Sequence, residues 1–231
     1  MTRYWAVVPA AGTGKRFGGA TPKQYLQIAG QTVMQHTLNR LCQAVPLSAC
    51  VVPISAEDQT AEQLRYDVPE QIRLVIGGAE RMDSVLAGLR SLADQAALDD
   101  WVLVHDVARP CVAADSLIKL ITELADDSVG GILAVPVRDT LKKAQDQQVL
   151  CTIPREALWQ AQTPQMFRYG LLLAALQAAT QSDHVVTDEA SAMEQAGHVV
   201  RLIEGRSDNI KITYADDLAL AAAILVAQSA Q

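Results

Sequence analysis

The sequence predicts an α/β fold, a mainly parallel twisted sheet with helices on both faces. Five short runs, "YWAVVP", "ACVVPIS", "IRLVIGG", "WVLVHDV" and "GGILAVPV", are nearly continuous in Val, Ile and Leu, as strands covered on both faces are. Helix-like segments separate the later runs, and that alternation is the mark of repeated βα units. The chain has 231 residues, half of them apolar, which is enough for one sizeable core. A single domain over 1–231 is therefore expected, with one excursion at 139–154.

The first strand, Tyr4 to Pro9, runs straight into "AAGTGKRFGGATPKQYL", a glycine loop carrying Lys15, Arg16 and Lys23. It is not a dinucleotide fingerprint: Phe17 stands where G-x-G-x-x-G needs its third glycine, and no acidic residue ends the second strand, which closes on "PIS". It is not a Walker loop either, because Arg16 rather than Ser or Thr follows Lys15. Glycines let backbone N–H groups turn inward and approach an anion, and three cations then suit a polyphosphate. A loop after the first strand of an open α/β sheet lies at the ligand crevice. A glycine turn with solvated cations is the plain alternative.

A helix is expected at "QTVMQHTLNRLCQA", then the second strand, then "IRLVIGG", which opens into "AERMDSV". Ser84 there lies near a helix start, where a hydroxyl can meet a base, ribose or phosphate, or simply cap the helix. After "RMDSVLAGLRSLADQA" comes "WVLVHDVARP". Asp106, directly after a buried strand, suits a magnesium ion carrying a nucleotide's phosphates; a helix cap or a partner for Arg109 explains it equally well. His105 reads as packed or hydrogen-bonded, since no serine or cysteine nucleophile accompanies it.

In "DSLIKLITELADD", Leu117, Ile118, Leu120, Ile121 and Leu124 mark one helical face. The segment 139–154, "DTLKKAQDQQVLCTIP", holds two strand-like pieces around the polar turn "QDQQ" and reads as a projecting β-hairpin. Helix is expected again at "REALWQAQ", at "YGLLLAALQAAT" and at "TDEASAMEQAG", where Gly197 is a stop signal. Strand pieces "VVRLIEG" and "NIKIT" precede a last helix. Its apolar run Leu218 to Ala227 has ten residues, too few to span a bilayer.

Composition excludes several classes. The formal charge of −7, with no basic stripe, argues against a nucleic-acid partner. The four cysteines form no C-x-x-C pair, so buried thiols in a reducing compartment are expected rather than disulfides or a zinc site. The opening "MTRYWAVVPAAG" is too short in apolar residues for a secretory signal. The expected setting is cytoplasmic, with no membrane contact.

Seven blocks, "PAAGTGKRFGGATPKQYL", "GGAERMDSVLAGL", "VHDVARP", "VRDTLKKA", "QTPQMF", "TDEASAMEQAG" and "EGRSDNIKIT", together resemble the 2-C-methyl-D-erythritol 4-phosphate cytidylyltransferase family. The resemblance runs in order over nearly the whole chain. Each block is moderately specific and the ordered set is highly so. Two positions depart from the family's habit: Val107, where alanine is frequent, and Ala79, where an acidic residue is common. The related ribitol 5-phosphate family tends to read "AGG" and "HDAVRP" where this chain has "AAG" and "HDVARP".

The resemblance implies a Rossmann-like nucleotidyltransferase fold and transfer of the cytidylyl group of CTP to 2-C-methyl-D-erythritol 4-phosphate. It further implies magnesium as cofactor, held with the help of Asp106, and a homodimer built through the arm. Arg16, Lys23, Arg155 and Lys211 would be catalytic. Ala10, Ala11, Gly12, Gly78 and Ser84 would form the CTP pocket, and Asp106, Arg109, Thr140, Thr163 and Thr187 would bind substrate. Plainer readings stand beside these: Thr140 as a strand residue, Arg155 as a surface charge, Thr163 as a turn residue, Thr187 as a helix cap. Asp208 is poised between a metal contact and a turn cap. The rival readings are a transferase with another polyol phosphate acceptor and a nucleotide-binding protein without chemistry.

Overall fold

The computed structural model describes residues 2–12, 21–181 and 186–229. In chain order the elements are β1 (Tyr4–Val7), β2 (Gln27–Ile28), β3 (Gln31–Thr32), α1 (Val33–Ala44), β4 (Leu47–Ile54), β5 (Ile72–Ile76) and α2 (Arg81–Arg90). There follow β6 (Trp101–Val104), α3 (Ala114–Leu124), β7 (Gly130–Pro136), β8 (Leu141–Gln145), β9 (Gln148–Ile153) and β10 (Trp159–Arg168). The chain then runs through α4 (Tyr169–Ala179), α5 (Glu189–Gln195), β11 (Arg201–Glu204) and α6 (Asp216–Ser229).

Seven strands form one sheet in the order β11-β7-β10-β6-β1-β4-β5. All neighbours pair in parallel except β10, which runs antiparallel to both β6 and β7. The five strands expected from their apolar runs are β1, β4, β5, β6 and β7. Alternation along each strand sends side chains to opposite faces. On one face Ala6, Val8, Trp101 and Leu103 meet Met34, Leu38 and Leu41 of α1 and Leu117, Leu120 and Leu124 of α3. On the other, Trp5, Val7, Val102, Val104 and Phe167 meet Val85 and Leu89 of α2, Leu172 and Leu176 of α4, and Met193 of α5.

The start of α1 follows from its sequence. Thr32 accepts from the Gln35 amide, and Gln35 reaches back to the Thr32 amide, a reciprocal cap that satisfies two otherwise orphaned donors. In α2, Gly88 is required by packing: a Cβ there would lie 2.6 Å from Val7 Cγ1, so the helix approaches β1 only because the side chain is missing.

Four expectations are corrected. "REALWQAQ" is not a helix: its first residues turn, with the Leu158 amide bonded to the Arg155 carbonyl, and β10 begins at Trp159. Glu, Ala, Leu and Gln favour helix only weakly, and pairing between β6 and β7 outweighs that preference. Pro164, which has no N–H to give a ladder, falls where the β10–β7 register shifts between Ala161 and Gln165; the Thr163–Pro164 peptide is cis. "NIKIT" is not a strand, because it crosses the loop after β6 and bonds it through the Ile212 amide to Ala108 O, with no sheet partner.

Ile118, counted on the buried face of α3, is 55% exposed, since the face turned to the sheet is the narrower stripe of Leu117, Leu120 and Leu124. Thr187 is not the cap of α5. Asp188 fills that role, accepting from the Ser191 amide. Two substitutions in α3 should therefore separate sharply. Leu120→Ala is expected to cost about 2–5 kcal/mol in urea unfolding, and Ile118→Ala about 0.5 kcal/mol. Equal losses would contradict this packing.

The arm is as expected: β8 and β9 form a separate antiparallel pair, turned through Asp146 and Gln147, both at positive φ, as a two-residue hairpin turn requires. It is mostly exposed, with Val149 and Leu150 open on its surface. At the carboxy terminus, Ala221 and Leu225 of α6 pack on Ile28, Val33, Cys111 and Ile212. Among the described residues no helix is long and apolar enough to cross a membrane.

Candidate active site

The loops after β1, β5 and β6 converge at the carboxyl edge of the sheet, and the segment 209–213 closes the space above them. Between them lies a cavity of about 360 Å³. Ala10, Ala11, Gly12, Gly78, Ser84, Lys23, Asp106 and Lys211 all line it, so eight residues singled out in the sequence share one space. Arg16 lies outside the described residues.

The two glycine-bearing walls are held by side chains. Ser84 Oγ accepts from the Gly78 amide at 3.1 Å and donates to the Gly78 carbonyl at 3.3 Å, which ties the β5 turn to α2. Gly78 must be glycine, since a Cβ there would sit 2.3 Å from Asp83 Cβ. The first loop is fixed by Gln24, which is buried and donates to Ala10 O at 3.0 Å and Gly12 O at 3.4 Å. Lys23 Nζ donates to Ile212 O at 3.0 Å, joining this wall to the segment that bears Lys211.

Asp106 is the electrostatic centre. Arg81 Nε donates to its Oδ1 at 3.0 Å, Lys211 Nζ lies 2.7 Å from Oδ2, and Arg109 Nε lies 3.7 Å from Oδ2. Burial alone would push this carboxyl up; Arg81, Lys211 and Arg109 together hold it well below the usual carboxylate range. The plain alternative of an Arg109 partner is thus part of the answer, with two further cations the sequence did not pair with it. Arg109 also donates through Nη1 to Asn209 O at 2.6 Å.

Behind Asp106, Thr163 and His105 lock the loop. The Asp106 amide donates to Thr163 Oγ1 at 3.0 Å, and Thr163 Oγ1 lies 2.9 Å from His105 Nδ1. His105 Nε2 lies 3.2 Å from the Arg109 carbonyl, which can only accept. The ring therefore carries its proton on Nε2, and Thr163 donates its hydroxyl proton to Nδ1. Thr163 is buried, and its oxygen and proton are both engaged.

Complete burial of His105 lowers its pKa from 6.5 to about 4, with Asp106 opposing and Arg109 assisting. Between those values the unfolded chain binds a proton that the folded chain refuses. Stability contributed by His105 is thus present above pH 6.5 and is lost as pH falls toward 4, by on the order of 3 kcal/mol. Urea unfolding at pH 7, 5.5 and 4.5 should show this slope, and His105→Asn should flatten it while starting less stable. Parallel pH profiles for the two chains would refute the assignment.

Other expected residues lie apart. Thr140 and Arg155 are exposed at the base of the arm, and Thr187 is exposed just before α5. Asp208 turns its carboxylate to Arg206, at 2.7 Å from Nη2, and to Gln228 Nε2 at 3.1 Å. Its hydrogen bonds from Arg206 hold its pKa low. Asp208 is thus an ion-pair partner of Arg206, a role neither expected reading named. Among the described residues no three His, Cys, Asp or Glu side chains converge to hold a metal ion.

Three residues escaped sequence reasoning: Gln24, Arg81 and Glu189. Arg81 stands inside a block quoted for its glycines and serine, and its partner Glu189 is 108 positions away. Nothing local links them.

The family model described as 2-C-methyl-D-erythritol 4-phosphate cytidylyltransferase matches residues 4–227. A relative from Azoarcus sp. bearing that name is 52% identical over 228 residues, covering 96% of this chain and 94% of its own. Another of the same name from Pseudomonas putida is 53% identical over 220 residues, covering 94% of each. Among solved structures, a 4-diphosphocytidyl-2C-methyl-D-erythritol synthase superposes with a TM-score of 0.85 at 38% identity, covering 97% of this chain and 99% of that one. The Francisella tularensis 2-C-methyl-D-erythritol 4-phosphate cytidylyltransferase superposes with a TM-score of 0.84 at 36% identity, covering 96% and 100%. With the glycine-walled crevice, its lysines and the match over nearly the full length, the chain belongs to the 2-C-methyl-D-erythritol 4-phosphate cytidylyltransferase family.

Proposed function

We infer that this crevice carries out the reaction for which the family is named. A phosphate oxygen of 2-C-methyl-D-erythritol 4-phosphate attacks the α-phosphorus of CTP. The new P–O bond forms as the bond to the β-phosphate bridge breaks, releasing pyrophosphate and 4-(cytidine 5'-diphospho)-2-C-methyl-D-erythritol. No covalent enzyme intermediate is required, so positioning and charge neutralisation carry the catalysis. The observation that carries this reading is the placement of Lys23 and Lys211 on one cavity with the backbone of Ala10 to Gly12 and of Gly78.

In this proposal Lys23, Lys211 and Arg16 stabilise the charge that builds on the transferring phosphoryl group. The small walls at Ala10, Ala11, Gly12 and Gly78, with Ser84 behind, admit a pyrimidine and present N–H and C=O groups to its edge. Arg109 and Thr187 face the acceptor, and Thr163 supports it by fixing Asp106. Thr140 and Arg155 reach the acceptor from the arm of a second chain, in a homodimer. An isolated two-stranded hairpin is marginal in water, so a partner surface for the exposed arm is the natural complement.

A magnesium ion fits only as cargo of the triphosphate. Among the described residues two carboxylates line the crevice, Glu80 and Asp106, and Asp106 is already engaged by Arg81 and Lys211, so the protein offers such an ion few free oxygens and the phosphates must supply the rest. When bound, magnesium would neutralise phosphate charge. Cys42, Cys50 and Cys111 are buried thiols as expected, but Cys151, on the outward-facing arm, is an exposed one; the cytoplasmic setting remains part of this proposal.

The test is pyrophosphate release. CTP with 2-C-methyl-D-erythritol 4-phosphate is expected to be the preferred pair. Equal or faster turnover with ribitol 5-phosphate would overturn the acceptor, and preference for ATP or GTP would overturn the base.

A further inference from the structure

Arg81 and Glu189 have no part in the roles above, yet they connect three elements at the crevice. Glu189, the first residue of α5, is 1% exposed and does not line the cavity. Its Oε1 and Oε2 accept from Arg81 Nη1 at 2.6 Å and Nη2 at 3.0 Å. That leaves Arg81 Nε, on the opposite edge of the guanidinium, to donate to Asp106 Oδ1. Arg81 itself, the first residue of α2, lines the cavity. A buried carboxylate is costly unless paired, and a planar fork is the partner that can hold one carboxylate and present a third nitrogen to another.

The consequence lies in how Asp106 is shared. With Oδ1 taken by Arg81, Asp106 meets Lys211 through Oδ2. We infer that Arg81 and Glu189 are a positioning pair: Glu189 aims the guanidinium so that it occupies one oxygen of Asp106, and Lys211 is held by the other oxygen alone, able to turn to phosphate. This rests on the crevice being the transferase site. Without the pair, both oxygens of Asp106 are open to Lys211, and the ammonium is held more firmly to the protein.

The decisive variant is Arg81→Met with Glu189→Met in one chain. It leaves the net charge of the site unchanged, and replacing a buried ion pair by apolar side chains of similar volume is often neutral or stabilising. A pair that served only stability would keep its activity after this exchange. The positioning role predicts a folded protein, a kcat at least about tenfold lower and a KM for CTP within about threefold of the parent.

A second readout does not depend on turnover. Acylation of Lys211 by a small neutral succinimidyl ester, followed on its peptide by mass spectrometry, should slow at least about threefold, because an amine gripped by two carboxylate oxygens must break both contacts. If the double variant does not fold, Arg81→Lys takes its place, keeping the charge and losing the fork, with the same two expectations. Near-parental kcat, a raised KM with unchanged kcat, or Lys211 acylated at the parental rate or faster would each overturn the inference. Failure of the parent to release pyrophosphate from CTP would instead overturn the reaction assignment, and the acylation rates would still decide the pair.

Discussion

Lys211→Ala and Lys23→Ala are each expected to lower kcat by about 10²-fold or more, the scale of removing one preorganised transition-state donor. The KM for CTP should move less, because stabilisation made mainly in the transition state shows in kcat. The two lysines reach the crevice differently. Lys211 is paired with Asp106 at 2.7 Å, and Lys23 is anchored on the carbonyl of Ile212, next in sequence to Lys211. Arg16→Ala carries the same expectation. Steady-state kinetics with both substrates varied is the measurement, and near-parental kcat in any one variant would remove that residue from the catalytic set.

Activity regained from two inactive chains is the second large effect. If Arg155 and Thr140 serve the partner's crevice, a Lys23→Ala chain mixed with an Arg155→Ala chain under exchange conditions forms mixed dimers in which one site collects both lesions and the other none. Equal mixing should restore up to about a quarter of the parental activity, since half of randomly paired dimers are mixed and each has one intact site. A monomer in solution, or no recovery despite proven exchange, would show that each chain holds its whole site.

What the sequence made legible was what local chemistry encodes. The apolar runs marked β1, β4, β6 and β7, because a strand covered on both faces has no polar alternation to confuse it; β5 was marked by its Ile, Leu and Val alone, and as the edge strand it is only partly buried. "QDQQ" marked the hairpin because a two-residue turn leaves few choices for what flanks it. Where tertiary pairing decided, local chemistry misled. Trp159 to Gln162 has helix-forming composition and becomes a strand, and Ile118 has helical spacing and faces solvent. The same division holds at the site. Glycines, lysines and an aspartate at strand ends can be seen in one dimension. The Arg81–Glu189 contact joins two helix starts that meet only after the sheet has formed, and of the three cations on Asp106 only Arg109, three residues on, is local, while Arg81 and Lys211 come from distant segments. Those distant contacts have no sequence spacing to read.

The position of β10 has a consequence for how the chain is made. β6, α3 and β7 look like an ordinary crossover unit, yet their strands are not neighbours: β10 lies between them. During synthesis β7 therefore emerges before either of its lasting partners. It must remain unpaired, or pair wrongly with β6, until the arm has been completed and β10 arrives from the opposite direction. An open apolar edge of this kind is where nascent chains associate with one another. The slowest step toward the native sheet should then be insertion of β10, a contact of long reach that expels any premature β6–β7 ladder. Because that strand starts at the arm and passes through Thr163 behind Asp106, the last gap to close in the sheet is also the one that completes the floor of the crevice.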